Sequence, residues 1–261
     1  KAKESILVWT DNALYTMKFV GGDFVFGFEQ VGTNCGLIGK NAAVEIDGVA
    51  YWMSPNGFFA FDGTVKSIPC SVQDYVYDQA DTTKGQQVYA GLNNQFTEVI
   101  WYYPSSNSEY NDQYVVYNYG ESNPRIPGGV WYIGTESRTT WIDATVYPKP
   151  FATKFDDSAT GTFPVIVGES GLGQTTLFEH EVGTDQVNPD GSTTTVTSFI
   201  QSFDFDIQQR MRGQAYQVAG DVFLAVRRFL PDFKDLAGNA KITLAVKRYP
   251  SDSQTTTSLS P

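Results

Sequence analysis

Gly48-Val49-Ala50-Tyr51-Trp52-Met53-Ser54-Pro55-Asn56-Gly57 is an apolar run that ends around a tryptophan and turns at once. Upstream lies Ala42–Ile46, joined to it through Asp47-Gly48, and downstream lies Phe58–Phe61. Asp-Gly and Asn-Gly tolerate the positive φ of a tight hairpin turn, so residues 42–68 read as three consecutive antiparallel strands. The same texture recurs in Ser5-Ile6-Leu7-Val8-Trp9-Thr10-Asp11-Asn12 and in Glu98-Val99-Ile100-Trp101-Tyr102-Tyr103-Pro104. With Trp141, the tryptophans of these stretches fall at a beat of roughly 40–50 residues, the period of β-propeller blades. The fold class is therefore all-β, built of β-propeller blades.

Working outward, residues 6–20 read as two strands around Asp11-Asn12. Residues 71–86 hold a polar stretch with room for a helical turn. Val88–Leu92, Glu98–Tyr103, Gln113–Tyr119 and Val130–Gly134 supply four strands in series, the content of one blade. Thr139–Val146 opens the next. After Tyr147-Pro148-Lys149-Pro150 the texture changes, which places a boundary there: 1–147 are blades, and 148–261 are either the remaining blades or an appended β-sandwich-like domain. In that second part Phe163–Gly168 and Thr175–Glu181 read as a hairpin, and Asn188-Pro189-Asp190-Gly191 as a turn before a Thr-rich strand. Ser198–Ile207 alternates, with Phe203, Phe205 and Ile207 on one face. Asp221–Leu230 and Lys241–Tyr249 are the last strands. No initiator Met begins the chain, and it reads as a fragment of a longer protein.

A net charge of −11 argues against a protein that holds DNA by neutralising phosphates. It is compatible with one that DNA slides past. No apolar stretch reaches the roughly 18 residues a membrane-spanning helix requires. Cys35 and Cys70 are the two cysteines in 261 residues, too few for a disulfide framework, and read as reduced buried thiols.

Motifs with chemical promise dissolve on inspection. Gly168-Glu169-Ser170-Gly171-Leu172-Gly173-Gln174-Thr175 resembles a phosphate loop, but Gln174 replaces the lysine that meets the phosphates. His180, the one histidine, sits between Glu179 and Glu181 and reads as an exposed strand residue. One histidine makes no His-rich zinc site. Asp204 and Asp206 share a strand face at a spacing within the roughly 5–9 Å range of a glycosidase pair, yet any half-exposed strand gives that pattern. Asp156-Asp157 reads as a loop, and Asp11, Asp47, Asp62 and Asn118 as turn residues. Trp101-Tyr102-Tyr103 and the pair Tyr117/Tyr119 could stack on sugars, although blade cores need the same residues. Arg210, Arg212, Arg227 and Arg228 form the basic clusters, read as solvated charges or as contacts to an acidic neighbour. The sequence assigns no catalytic, cofactor-binding or metal-ligating residue, and no enzymatic activity.

Three groups of residues carry a family resemblance. They are Ile6–Met17 with Gly36-Leu37-Ile38-Gly39, then Val44–Met53 with Gly57–Gly63, then Val88–Asn93 with Glu98–Pro104 and Tyr114–Tyr119. Gly220-Asp221-Val222-Phe223, Arg228–Phe233, Gly238 and Ile242–Pro250 add to them. Together they resemble the tail nozzle proteins of bacteriophages, also called packaged-DNA stabilisation or tail tubular proteins. The likeness covers most of residues 5–250 and is weakest across 150–195. It implies a structural virion protein in the phage tail. Such proteins form a ring, usually of six copies, that extends the tail channel, retains packaged DNA and opens for ejection. Its partners would be other copies of itself, the tail adaptor, tail fibre or spike proteins, and DNA passing without sequence-specific binding. The family carries no catalytic residues and no cofactor. The alternative is a carbohydrate-binding or glycoside-hydrolysing β-propeller.

Overall fold

The apolar run around Trp52 has no polar face because both of its faces are covered. A computed structural model describes residues 5–22, 24–122, 128–145, 147–156, 174–183, 185–187, 191–195, 199, 240–247 and 253–259. The chain divides into two compact units, Lys1–Val196 and Thr197–Pro261.

In the first unit, four antiparallel sheets follow one another in chain order. The first is β1 (Ile6–Trp9), β2 (Ala13–Phe19) and β3 (Phe26–Thr33). The second is a four-stranded meander, β4 (Ala43–Ile46), β5 (Val49–Ser54), β6 (Gly57–Phe61) and β7 (Val65–Ile68). A short helix, α1 (Gln73–Gln79), and a 3-10 turn at Thr82–Gln87 lead to the third. This is again a four-stranded meander: β8 (Tyr89–Asn93), β9 (Glu98–Pro104), β10 (Asn111–Asn118) and β11 (Trp131–Thr135). The fourth comprises β12 (Thr140–Ile142), β13 (Phe151–Asp156) and β14 (Gln174–Glu179). A hairpin of β15 (Asp185–Val187) and β16 (Thr193–Thr195) follows. In the second unit, β17 (Ile242–Val246) pairs with β18 (Thr255–Leu259).

The expected all-β class holds, with strands close to those read from the sequence and a helix where the polar stretch 71–86 left room. Asp47 and Gly48 take φ of 52° and 81° and close the β4–β5 turn, as the Asp-Gly pair requires. Five strands went unread: β3, β7, β13, β15 and β18. Of these, β13 pairs with β14, whose partner had been expected in Phe163–Gly168, a segment outside the described residues. Residues on either side of position 147/148 pair in one sheet, β12 with β13. Ser198–Ile207 and Asp221–Leu230 also lie outside the described residues.

Three cores lie between successive sheets. Alternation along each strand sends neighbouring side chains into different cores. Ala50 and Trp52 of β5 face the first sheet, joining Leu14, Cys35 and Phe61. Met53 turns the other way and meets Phe58, Val99, Trp101, Tyr103, Val115 and Trp131, with Val76 of α1 closing one side. On β9, Ile100 and Tyr102 face away from Trp101 and pack with Val116, Trp141 and Ala152 of the next junction. The strand is therefore apolar without interruption. Each fully buried large side chain here contributes about 1.5–3 kcal/mol relative to an exposed one.

Every junction is also fastened by an indole. Trp52 Nε1 donates to the Cys35 carbonyl at 2.8 Å. Trp101 Nε1 donates to the Ala42 carbonyl at 3.1 Å, and Trp141 Nε1 to the Leu92 carbonyl at 2.6 Å. In each case the tryptophan lies on a strand and the acceptor carbonyl earlier in the chain, in the connection before β4 for Cys35 and Ala42 and in β8 for Leu92. The recurring tryptophans are thus a structural device: a large apolar body fills the junction while its one polar atom finds a partner. Trp9, which opens the series, packs edge-on against Trp52, and its buried N–H has no acceptor.

Candidate functional site

Among the described residues, two gatherings of polar side chains lie where the third and fourth sheets meet. One is a shallow, open groove of about 320 Å³ along the first strands of three sheets. The backbone carbonyl of Asn41, just before β4, accepts from the Ala90 N–H at 2.7 Å, and Asn41 bridges Tyr89 in parallel fashion. Trp141 of β12 then lies over β8: a Cβ on Gly91 would meet the indole at 2.5 Å, so glycine is what lets the ring seat there. Lys40, Val44 and Asp143 complete the lining. The carboxylate of Asp143 accepts from Asn94 N–H at 3.2 Å and Ala144 N–H at 2.7 Å. It ties these two loop segments together.

The other is a cluster around Arg138, a buried guanidinium between β11 and β12. Its NH2 reaches Glu136 at 2.6 Å, its NH1 the Ser137 carbonyl at 2.7 Å, and its Nε donates to His180 Nε2 at 2.8 Å. The guanidinium lies 4.2 Å over the Phe178 ring, and the His180 ring sits 4.8 Å from that of Trp141. Burial, with the Arg138 charge beside it, pushes His180 down to about 4. Burial raises the Glu136 carboxyl against the pull of Arg138. At neutral pH the imidazole is a neutral acceptor held by a cation. Through that bond it meets a guanidinium, and the arrangement is a buried polar tie. This corrects the expectation of an exposed strand histidine: His180 is half-buried just past β14, engaged by a residue 42 positions upstream.

The remaining candidates fall into place one by one. Trp101 is fully buried, as is Tyr103, and Tyr102 nearly so, which leaves no face of that run for a sugar. Tyr117 and Tyr119 pack on Tyr51 at 6.1 and 5.9 Å, and Tyr117 also on Trp131 at 4.7 Å. These three tyrosines and Asp62 surround one another closely enough that, with burial the largest cause, Tyr51 is pushed up to about 12. Cys35 and Cys70 are free thiols, Cys35 buried as expected and Cys70 only half-buried, and burial raises both, Cys70 to about 12. Asp62 and Asn118 serve turns, accepting from Thr64 N–H at 3.4 Å and Glu121 N–H at 2.8 Å. Among the described residues no group of three His, Cys, Asp or Glu side chains could hold a metal ion, and no helix is long and apolar enough to cross a membrane. Gly168–Gly173, Asp157, Asp204, Asp206, Arg210, Arg212, Arg227 and Arg228 lie outside the described residues.

Sequence reasoning missed Arg138 altogether. Its neighbours Glu136 and Ser137 give a local polar texture indistinguishable from a turn. Against known proteins, no family model matches the chain and no curated protein matches it significantly.

Proposed function

We propose that the successive sheets of the first unit are blades of a β-propeller, and that the chain is a structural subunit of a phage tail nozzle. The observation that carries this reading is the indole tie repeated at three consecutive junctions. It turns the tryptophan beat of the sequence into a repeated architectural unit. The first strands of the second, third and fourth sheets lie side by side along the groove, the placement inner blade strands take around an axis. The residue blocks that resemble the nozzle family, from Ile6–Met17 to Tyr114–Tyr119, fall on these sheets and the segments joining them.

In this reading the protein acts by assembly and not by catalysis. A ring of copies, usually six in the family it resembles, prolongs the tail channel between the adaptor and the fibre or spike proteins. The charge of −11 suits a wall past which DNA moves, because each neutralised phosphate would add attraction and slow the duplex. The carbohydrate alternative loses its best platform with Trp101 in a core. Electron microscopy of the source particle, labelled with antibodies to this chain, tests the proposal. Label on a ring at the tail tip supports it. Label elsewhere, or none on purified virions, refutes it.

A further inference from the structure

Among the described residues, the first and fourth sheets of the first unit each leave one face uncovered, one at either end of the four-sheet series. On the first sheet, Ile6 lies opposite Met17, and Met17 opposite Phe28. Phe19 lies opposite Phe26, and the two rings touch at 6.2 Å. Opposed residues share a face, so Ile6, Met17, Phe19, Phe26 and Phe28 form one apolar surface across three strands. Leu14 and Trp9 point to the other side, into the core shared with the second sheet. Phe19, Phe26 and Phe28 are 74, 51 and 64% exposed, and Phe24 at the hairpin tip 79%. At roughly 200 Å² per aromatic side chain, these residues with Ile6 expose about 600 Å² of apolar surface. That is at the upper limit for a monomer's largest patch, and about three-quarters of one side of a standard protein interface at roughly 800 Å².

The fourth sheet mirrors this. Trp141 and Ala152 face the core, which turns Ile142, Phe151 and Leu177 outward. Ile142 and Leu177 are more than half exposed, and Tyr147, equally exposed, packs on Phe151. One end therefore offers the face that a preceding sheet would cover, the other the face that a following sheet would cover. At each junction inside the molecule, those two kinds of face meet.

We propose that the aromatic face of the first sheet in one copy docks on the Ile142/Leu177 face of the fourth sheet in a second copy. The contact is head-to-tail and continues the internal series of sheets. Because the two surfaces differ, the contact closes into a ring or runs on as a filament. It does not rest on the nozzle reading, and head-to-tail assembly of a protein absent from phage particles would leave it intact.

The test is sedimentation velocity of the 261-residue chain from micromolar to submillimolar concentration. The wild type is expected to grow in mass with concentration. A head variant, Phe26→Asp with Phe28→Asp, and a tail variant, Ile142→Asp with Leu177→Asp, each sediment as monomers. An equimolar mixture of the two gives a dimer and nothing larger, since each supplies the face the other lacks. The proposal is overturned by a wild type that stays monomeric, by either variant assembling like the wild type, or by a mixture that stays monomeric. Tryptophan emission reports whether each variant is folded. Should a double variant unfold, the single substitutions Phe28→Ser and Leu177→Ser replace it in the same mixing experiment.

Discussion

Among the described residues, the second and third sheets bury both faces, whereas the first and fourth bury only one. The side chains hardly differ: aromatic and branched residues occupy both faces in all four. In β9 that composition is satisfied by two cores, with Trp101 in one and Tyr102 in the other. In the β2–β3 hairpin the same kind of composition leaves Phe19 and Phe28 in solvent. The difference teaches that hydrophobicity along a strand records what a face is built to meet, while its exposure records what has met it.

The widest contrast is energetic. Trp101→Ala should cost about 3–5 kcal/mol, since it empties a fully enclosed site and takes from the Ala42 carbonyl one of its two donors, leaving only the Met53 N–H. Phe28→Ala, on the open face, should stay within about 0.5 kcal/mol in dilute monomer. Urea denaturation of both measures the gap, and equal losses would erase the distinction between covered and open faces.

Next comes the junction of the third and fourth sheets, where His180 is tied to Arg138. Its folded pKa of about 4 lies below its ordinary value of 6.5. As pH falls, the unfolded chain takes up a proton before the folded one does. Stability contributed by this site is therefore complete above about pH 6.5 and is lost as pH falls toward about 4, by roughly 1–3 kcal/mol after allowance for its partial exposure. Glu136, raised by burial, opposes the trend at the acid end. Thermal melts at pH 7 and pH 5 check the slope, and His180→Gln should flatten it.

Smaller still is the worth of one indole N–H. Trp52→Phe should cost about 1–2 kcal/mol, because the Cys35 carbonyl loses its buried donor. Trp9→Phe removes a buried N–H that has no acceptor, and should cost less than Trp52→Phe by about 1 kcal/mol. If both cost the same, the hydrogen bond is not what distinguishes an internal junction from the first. The least effect is expected at Tyr103, whose buried hydroxyl is unpaired: Tyr103→Phe should be neutral within about 0.5 kcal/mol, or slightly stabilising.

Strands with a strong pattern were legible in the sequence, and those without one were not. β5 and β9 announce themselves because two-sided burial writes an unbroken apolar run bounded by turns. β3 escaped because Gly27 and Gly32 interrupt it and most of its residues are exposed. β7 is four residues with Lys66 and Ser67 in the middle. The tryptophan spacing was visible, but its cause was not: periodicity says that an indole recurs, not that its N–H reaches a carbonyl earlier in the chain. The Arg138–His180 tie was invisible for a related reason. It joins residues from different strands, and no local window holds both.

Each indole tie has a direction. The acceptor carbonyl of Cys35, Ala42 or Leu92 is always made before the tryptophan that binds it. During synthesis a newly emerging sheet finds its anchor already out of the ribosome and never has to wait for one. Assembly from the amino-terminal side is thus vectorial, and damage is asymmetric: cutting the chain after β7 leaves the Trp52 tie whole, whereas starting it at β8 leaves Trp101 with no Ala42 to hold.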